Sequence, residues 1–182
     1  MKSIYILLAE GFELIEAMST IDVMHRADVE TRLVHVLPEK KVTSSHSLAS
    51  LDTSLSIDQV NIDADAIMLP GGFPGYETLR TTPKVLEIVR QYDKAGKIIA
   101  AICGAPSVLP AAGIKPHSKL TAHHSVHPLL KDYDIQTSAV VRDGNIITGA
   151  GAGQSINFAM ALLEALVDEK QVKQVAYGME IR

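Results

Sequence analysis

Short apolar runs rich in isoleucine and valine alternate along the chain with longer stretches in which apolar residues recur every three or four positions. IYILLA (4–9), TRLVHVL (31–37), AIMLP (66–70) and KIIAAI (97–102) have the length and side chains of central strands. Leu14, Met18, Ile21 and Met24 fall on one helical face, and Leu79, Val85, Leu86 and Val89 mark a second amphipathic stretch that Gly96 ends. Strands alternating with helices predict an α/β fold with a mostly parallel sheet. VTSSHSLASLDTSLSI (42–57) is serine-rich with alternating character, and VVRDGNIIT (140–148) places Asp-Gly between two β-rich halves, the signal of a tight hairpin. Both are expected as antiparallel additions at the sheet edges. QSINFAMALLEALV (154–167) is apolar nearly all round, which predicts a helix buried on more than one side.

Composition narrows the picture. With 182 residues, 47% hydrophobic and 21% charged, the chain can bury one sizeable core, and 1–182 is expected to be a single domain. A net charge of -4 with scattered lysine and arginine gives no footprint for nucleic acid or an anionic membrane, so a small molecule is the expected partner. A single cysteine allows no intrachain disulfide, and Glu10 interrupts the first apolar run before it reaches signal-peptide or membrane length. The expected compartment is the cytoplasm.

That cysteine lies in IIAAICGAP (98–106), where a predicted strand runs into Gly-Ala-Pro. A strand that turns sharply into a helix at a nucleophile lifts the side chain to the carboxyl edge of the sheet, and the turn requires small neighbours. Ala101 and Ala105 stand two before and two after Cys103, Gly104 follows it directly, and Pro106 suits a first helical turn. A helix N-terminus there would lower the thiol pKa, and the Gly104 N–H would stabilise an oxyanion. A lone cysteine is equally at home as an inert core residue, and this segment alone leaves both readings open.

Three other segments carry candidate chemistry. LPGGFPG (69–75) follows a predicted strand, and its tight turn would make the Gly72 N–H a second oxyanion donor; an ordinary connecting loop would look the same. In EGFELIEAM (10–18), Glu13 and Glu16 share a helix face, with Glu16 among Leu14, Ile15 and Met18. A carboxyl group in apolar surroundings keeps its proton to higher pH and can act as acid or base, whereas a solvated glutamate in a first turn would only favour the helix dipole. TAHHSVHP (121–128) holds three of the seven histidines, but with no second cysteine and no acid in the cluster it does not read as a zinc site. One of His123, His124 and His127 facing Cys103 is the expectation, and the choice among them stays open. GAGAG (149–153) has no following strand to carry an acid and reads as a close-packing loop rather than a dinucleotide site.

Taken together, LAEGFELIEA, IMLPGGFPG, IIAAICGAPSVL, LTAH and ITGAGAGQSINFAMALLEAL span almost the whole chain and resemble the ThiJ/PfpI superfamily, in its Parkinson-disease protein (DJ-one) branch. The resemblance implies a flavodoxin-like three-layer sandwich and a homodimer. It makes Cys103 the elbow cysteine, Glu16 its carboxyl partner, Gly72 and Gly104 the oxyanion donors, and His123 a neighbour, with Arg26 and His46 on the anion-binding side. The chain departs from the pattern in three places. Gly104 stands where protease-like members carry a histidine, which argues against a Cys-His peptidase. Ala150 and Ala152 replace the arginine and proline of the glycine-rich loop, and His46 falls where relatives can have arginine. The implied activity is conversion of methylglyoxal to lactate with no cofactor and no metal, and deglycase chemistry on glycated amines would begin with the same step. The alternative is an oxidative-stress sensor or chaperone that uses an oxidisable Cys103.

Overall fold

The structure, a computed structural model, describes residues 1–181. In chain order its elements begin with β1 (Ser3–Leu8), α1 (Leu14–Arg26), β2 (Glu30–His35), β3 (Lys41–Thr43), β4 (Ser50–Asp52), β5 (Leu55–Ser56) and β6 (Ala66–Leu69). Then come α2 (Gly75–Thr81), α3 (Pro83–Lys94), β7 (Ile98–Ile102), α4 (Val108–Ala112), β8 (Lys119–Leu120) and β9 (Asp134–Ile135). The chain closes with β10 (Val140–Asp143), β11 (Ile146–Gly149), α5 (Ser155–Leu166) and α6 (Glu169–Gly178).

Seven strands form one sheet in the order β10-β11-β7-β6-β1-β2-β5, parallel throughout except for β10 against β11. Its central strands are buried on both faces, which is why they read as unbroken apolar runs. Along β1, Ile4, Ile6 and Leu8 enter the core shared with α1 and α5, while Tyr5 and Leu7 enter the core shared with α2, α3 and α4. The result is the three-layer, flavodoxin-like sandwich expected from the sequence. The chain leaves β1 for β2 on one side and returns to β6 on the other, so a crevice opens at the carboxyl ends of β1, β6 and β7.

Several local expectations change. Segment 42–57 does not extend the main sheet by antiparallel pairing: β3 and β4 form their own two-stranded ribbon, and only β5 joins the sheet, parallel to β2. In 140–148 the hairpin forms, but only β10 is antiparallel, because β11 pairs in parallel with β7. The stretch from Leu79 to Val89 is two helices, since Thr82 precedes Pro83 and is held extended (φ −80°, ψ 114°) by the proline ring. Helix α5 is enclosed as expected, packed among α1, α6 and the sheet. The apolar face of α1 is divided, because Ala17, Val23 and Met24 are buried whereas Ile15 and Met18 are 51% and 39% exposed.

Candidate active site

Three loops meet above the carboxyl ends of β1, β6 and β7, and each is fixed by backbone geometry. At the end of β7, Cys103 adopts the left-handed conformation, with φ 64°. That conformation costs an L-residue roughly 1–2 kcal/mol and survives only where the surroundings impose it. Here its N–H donates to the Gly149 carbonyl at 2.9 Å, and its carbonyl accepts from the His123 N–H at 2.9 Å. The thiol is thereby held up from the sheet edge, half-buried.

The turn after β6 must be glycine for steric reasons. Gly72 has φ 88°, and a Cβ there would lie 2.3 Å from the Glu13 nitrogen. A Cβ on Gly71 would fall 2.6 Å from Cys103 Cβ and 2.9 Å from Glu16 Oε2, in the space between thiol and carboxyl. The bare backbone lets the three loops close on one another.

Glu16 comes from the buried side of α1 and is fully shielded from solvent. Its burial is therefore as expected, but its surroundings are not Ile15 and Met18, which face outward. Its Oε2 accepts the Gly71 N–H at 2.6 Å. The Cys103 thiol meets the same carboxyl group, whose Oε1 is buried with no hydrogen-bond partner among the described residues. Burial pushes the carboxyl pKa up to about 7, aided by the charge of Glu13 and opposed by the Gly71 and Cys103 hydrogen bonds.

The thiol is not depressed as the sequence led one to expect. Burial pushes it up to about 12, helped by the negative charge of Glu16 and its hydrogen bond, while the N–H groups of Gly104 and Gly72 pull it down. The opposing helix end is weak: after Gly104 comes a single 3₁₀ turn (Ala105–Ser107) and a five-residue α4, too short for a substantial dipole. A proton on Glu16 removes the second of the causes that hold the thiol up, so a protonated Glu16 and a thiolate on Cys103 belong together as one coupled system.

Glu16, Gly72, Cys103, Gly104 and His123 line one open pocket of about 350 Å³. Among the three clustered histidines, His123 is the one that reaches it. Its Nδ1 accepts the Ser125 N–H at 3.3 Å and lies 2.8 Å from Ser125 Oγ, which assigns the proton to Nε2. Burial, together with His124 and His127, lowers its pKa, so the ring is a neutral donor. His124 stacks on His123 with ring centroids 4.1 Å apart, and His127 instead sits 3.2 Å from the Ala122 carbonyl through Nε2.

A family model described as the DJ-1/PfpI family matches residues 2–165. The chain belongs to the DJ-1/PfpI family. It is 35% identical to protein dj-1beta of Drosophila melanogaster over 98% of this chain and 96% of that one. The crystal structure of Drosophila melanogaster DJ-1beta superposes with a TM-score of 0.95 at 32% identity, covering 100% and 98% of the two chains. A protein of Schizosaccharomyces pombe named glutathione-independent glyoxalase DJ-1 is 27% identical over 96% of each.

Not every residue suggested by the DJ-1/PfpI resemblance comes to the pocket. Arg26 ends α1 on the surface, paired with Asp22 at 2.8 Å, and His46 is exposed with φ 57°; neither lines the pocket in this chain. Conversely, Glu13, Phe73, Tyr76, Ser125 and Ala152 line it without having been singled out for that role. Ala152 carries the discounted GAGAG loop into the site, and Ser45 Oγ donates to Glu13 Oε2 at 3.0 Å. Among the described residues, no group of three His, Cys, Asp or Glu side chains could hold a metal ion, and no helix is long and apolar enough to cross a membrane.

Proposed function

We propose that this chain is a cofactor-independent thiolate enzyme that converts methylglyoxal and water to lactate. One observation carries the reading: a thiol on a strained turn shares its pocket with a carboxyl group whose pKa is near 7 and with two backbone N–H groups directed at the sulfur. The name of the Schizosaccharomyces pombe relative supports the same class of reaction.

In this mechanism Glu16 accepts the thiol proton as sulfur forms a bond to the aldehyde carbon, and the carbonyl π electrons move to oxygen. The N–H groups of Gly72 and Gly104 hold that oxyanion until Glu16 returns the proton, giving a hemithioacetal. Glu16 then removes the C–H proton from the carbon bearing sulfur. The resulting enediolate is reprotonated on the adjacent carbon by the same carboxyl group, while the hydroxyl proton passes to the neighbouring oxygen. A lactoyl thioester remains, and water cleaves it to lactate and free thiol. His123 donates a hydrogen bond to the substrate oxygens. No electrons enter or leave, so no external oxidant is needed.

The test is lactate formation from methylglyoxal without glutathione. Wild type turns over, Cys103→Ser falls about 10³-fold or more, and Glu16→Gln falls nearly as far. An active serine variant sinks the mechanism. No wild-type turnover, with Cys103 readily labelled by a thiol reagent, moves the reading to an oxidation sensor. The homodimer is likewise a proposal, supported by the outward-facing Ile15, Met18 and Leu48, the last 68% exposed, and checked by the sedimentation coefficient of the purified chain.

A further inference from the structure

Phe73 and Tyr76 give the pocket an aromatic wall. Phe73 lines the pocket while 71% exposed, unusual for a large apolar ring, and its centroid lies 6.3 Å from that of Tyr76 with the planes at 56°. Tyr76 occupies the space that a side chain after the nucleophile would fill, because a Cβ on Gly104 would lie 2.6 Å from its ring. On the same helix Glu77 pairs with Arg80 at 2.7 Å. The two rings pair with each other and form one aromatic wall of the pocket that holds Cys103; the slot along that wall takes a flat apolar group by stacking and by covering Phe73 from water. The charges lining the same pocket are those of Glu13 and Glu16, and no lysine or arginine among the described residues lines it.

Resting on the proposed reaction, we infer that Phe73 and Tyr76 are specificity-determining residues that select 2-oxoaldehydes with an uncharged aromatic substituent. The aldehyde carbon meets sulfur, the oxygens face the glycine N–H groups, and the aryl ring lies in the slot. A methyl substituent leaves the slot unfilled. An anionic ring substituent meets carboxylates with no cation to receive it.

The experiment compares kcat/KM for phenylglyoxal, methylglyoxal and 4-carboxyphenylglyoxal in wild type, Phe73→Ala and Tyr76→Leu. Expected is a phenyl-to-methyl ratio that drops about tenfold in either variant, mostly through the KM for phenylglyoxal, and a carboxylated substrate about tenfold poorer than phenylglyoxal. A ratio that neither variant moves, or a carboxylated substrate as good as the neutral one, overturns the assignment. If wild type turns over none of the three, the proposed reaction has failed, and the slot is read from Cys103 alkylation rates instead. N-phenyliodoacetamide reacting faster relative to iodoacetamide in wild type than in Phe73→Ala upholds the aromatic slot, and equal ratios in the two proteins dismiss it.

Discussion

The two ends of the central sheet are built on opposite principles. At the amino end, charged groups sit near the surface and find partners: Lys2 with Asp65 at 2.8 Å, Arg32 with Glu30 and Asp63 at 2.8 and 3.1 Å, and Tyr5 donating to Asp63 at 2.7 Å. Lys97 closes the same edge by donating to the carbonyls of Ile62 and Ala64. At the carboxyl end a buried carboxyl meets a half-buried thiol, one carboxylate oxygen has no hydrogen-bond partner among the described residues, and Cys103 is held in a left-handed turn. Satisfied polar groups stabilise one end; unsatisfied and strained ones at the other are available to a reacting molecule.

The same methyl group added at each end measures that contrast most directly. Gly72→Ala would drive a Cβ to 2.3 Å from the Glu13 nitrogen and 2.4 Å from the Gly11 carbonyl oxygen, backbone atoms that cannot turn aside. Gly144 also has a positive φ, 61°, but sits in the β10–β11 turn at the amino end with nothing within 4 Å of a Cβ. Expected is a loss of about 4 kcal/mol or more for Gly72→Ala, or failure to fold, against about 1 kcal/mol for Gly144→Ala. Urea denaturation reads both, and equal losses would mean that the three loops of the site are not closely interlocked.

A smaller and pH-dependent effect comes from Glu16. Its carboxyl pKa rises from 4.5 to about 7 on folding, so the folded chain keeps a proton that the unfolded chain loses. Stability from this group is complete below about pH 4.5, declines as pH rises to about 7 and stays at its lower level above, a total change of about 3 kcal/mol. Glu16→Gln removes the titration. The variant is expected to be more stable than wild type by about 2–3 kcal/mol at pH 8, with the advantage shrinking toward pH 4.5, while turnover is lost. Denaturation midpoints across that range decide it, and a gap that does not change with pH would mean Glu16 is not the strained carboxyl.

Much of this architecture could be read from the chain. β1, β6 and β7 stood out because burial on both faces leaves them apolar almost throughout, and the place of Cys103 stood out because a sharp turn tolerates only residues such as Ala101, Gly104 and Ala105 around it. Properties set by depth or by distant partners were hidden. The thiol pKa depends on how far Glu16 is buried and on the length of the helix after Ala105, neither of which periodicity reports. Ile15 and Met18 looked like core because hydrophobicity does not tell a buried face from one left open. Tyr76 reads as one more aromatic in a helix until its ring is seen beside Gly104, and the β3–β4 ribbon alternates like an edge strand of the main sheet.

The smallest expected effect tests the quiet end. Asp63 is half-exposed and accepts from Tyr5 and Arg32, contacts that hold its pKa below the usual carboxylate range, the Tyr5 hydroxyl first among them. A depressed carboxylate stabilises the fold above its ordinary pKa and loses that contribution as pH falls. Water and salt screen a pair this exposed, and Arg32 keeps Glu30 at 2.8 Å when Asp63 is neutralised. Asp63→Asn is therefore expected to cost less than about 1 kcal/mol at pH 7, less still in high salt, and to leave the rate of lactate formation unaltered. A marked fall in that rate would show that the pairing at the amino end sets the geometry at the carboxyl end. The division between a stabilising end and a reactive end would then have to be replaced by a sheet that transmits strain along β1 and β6.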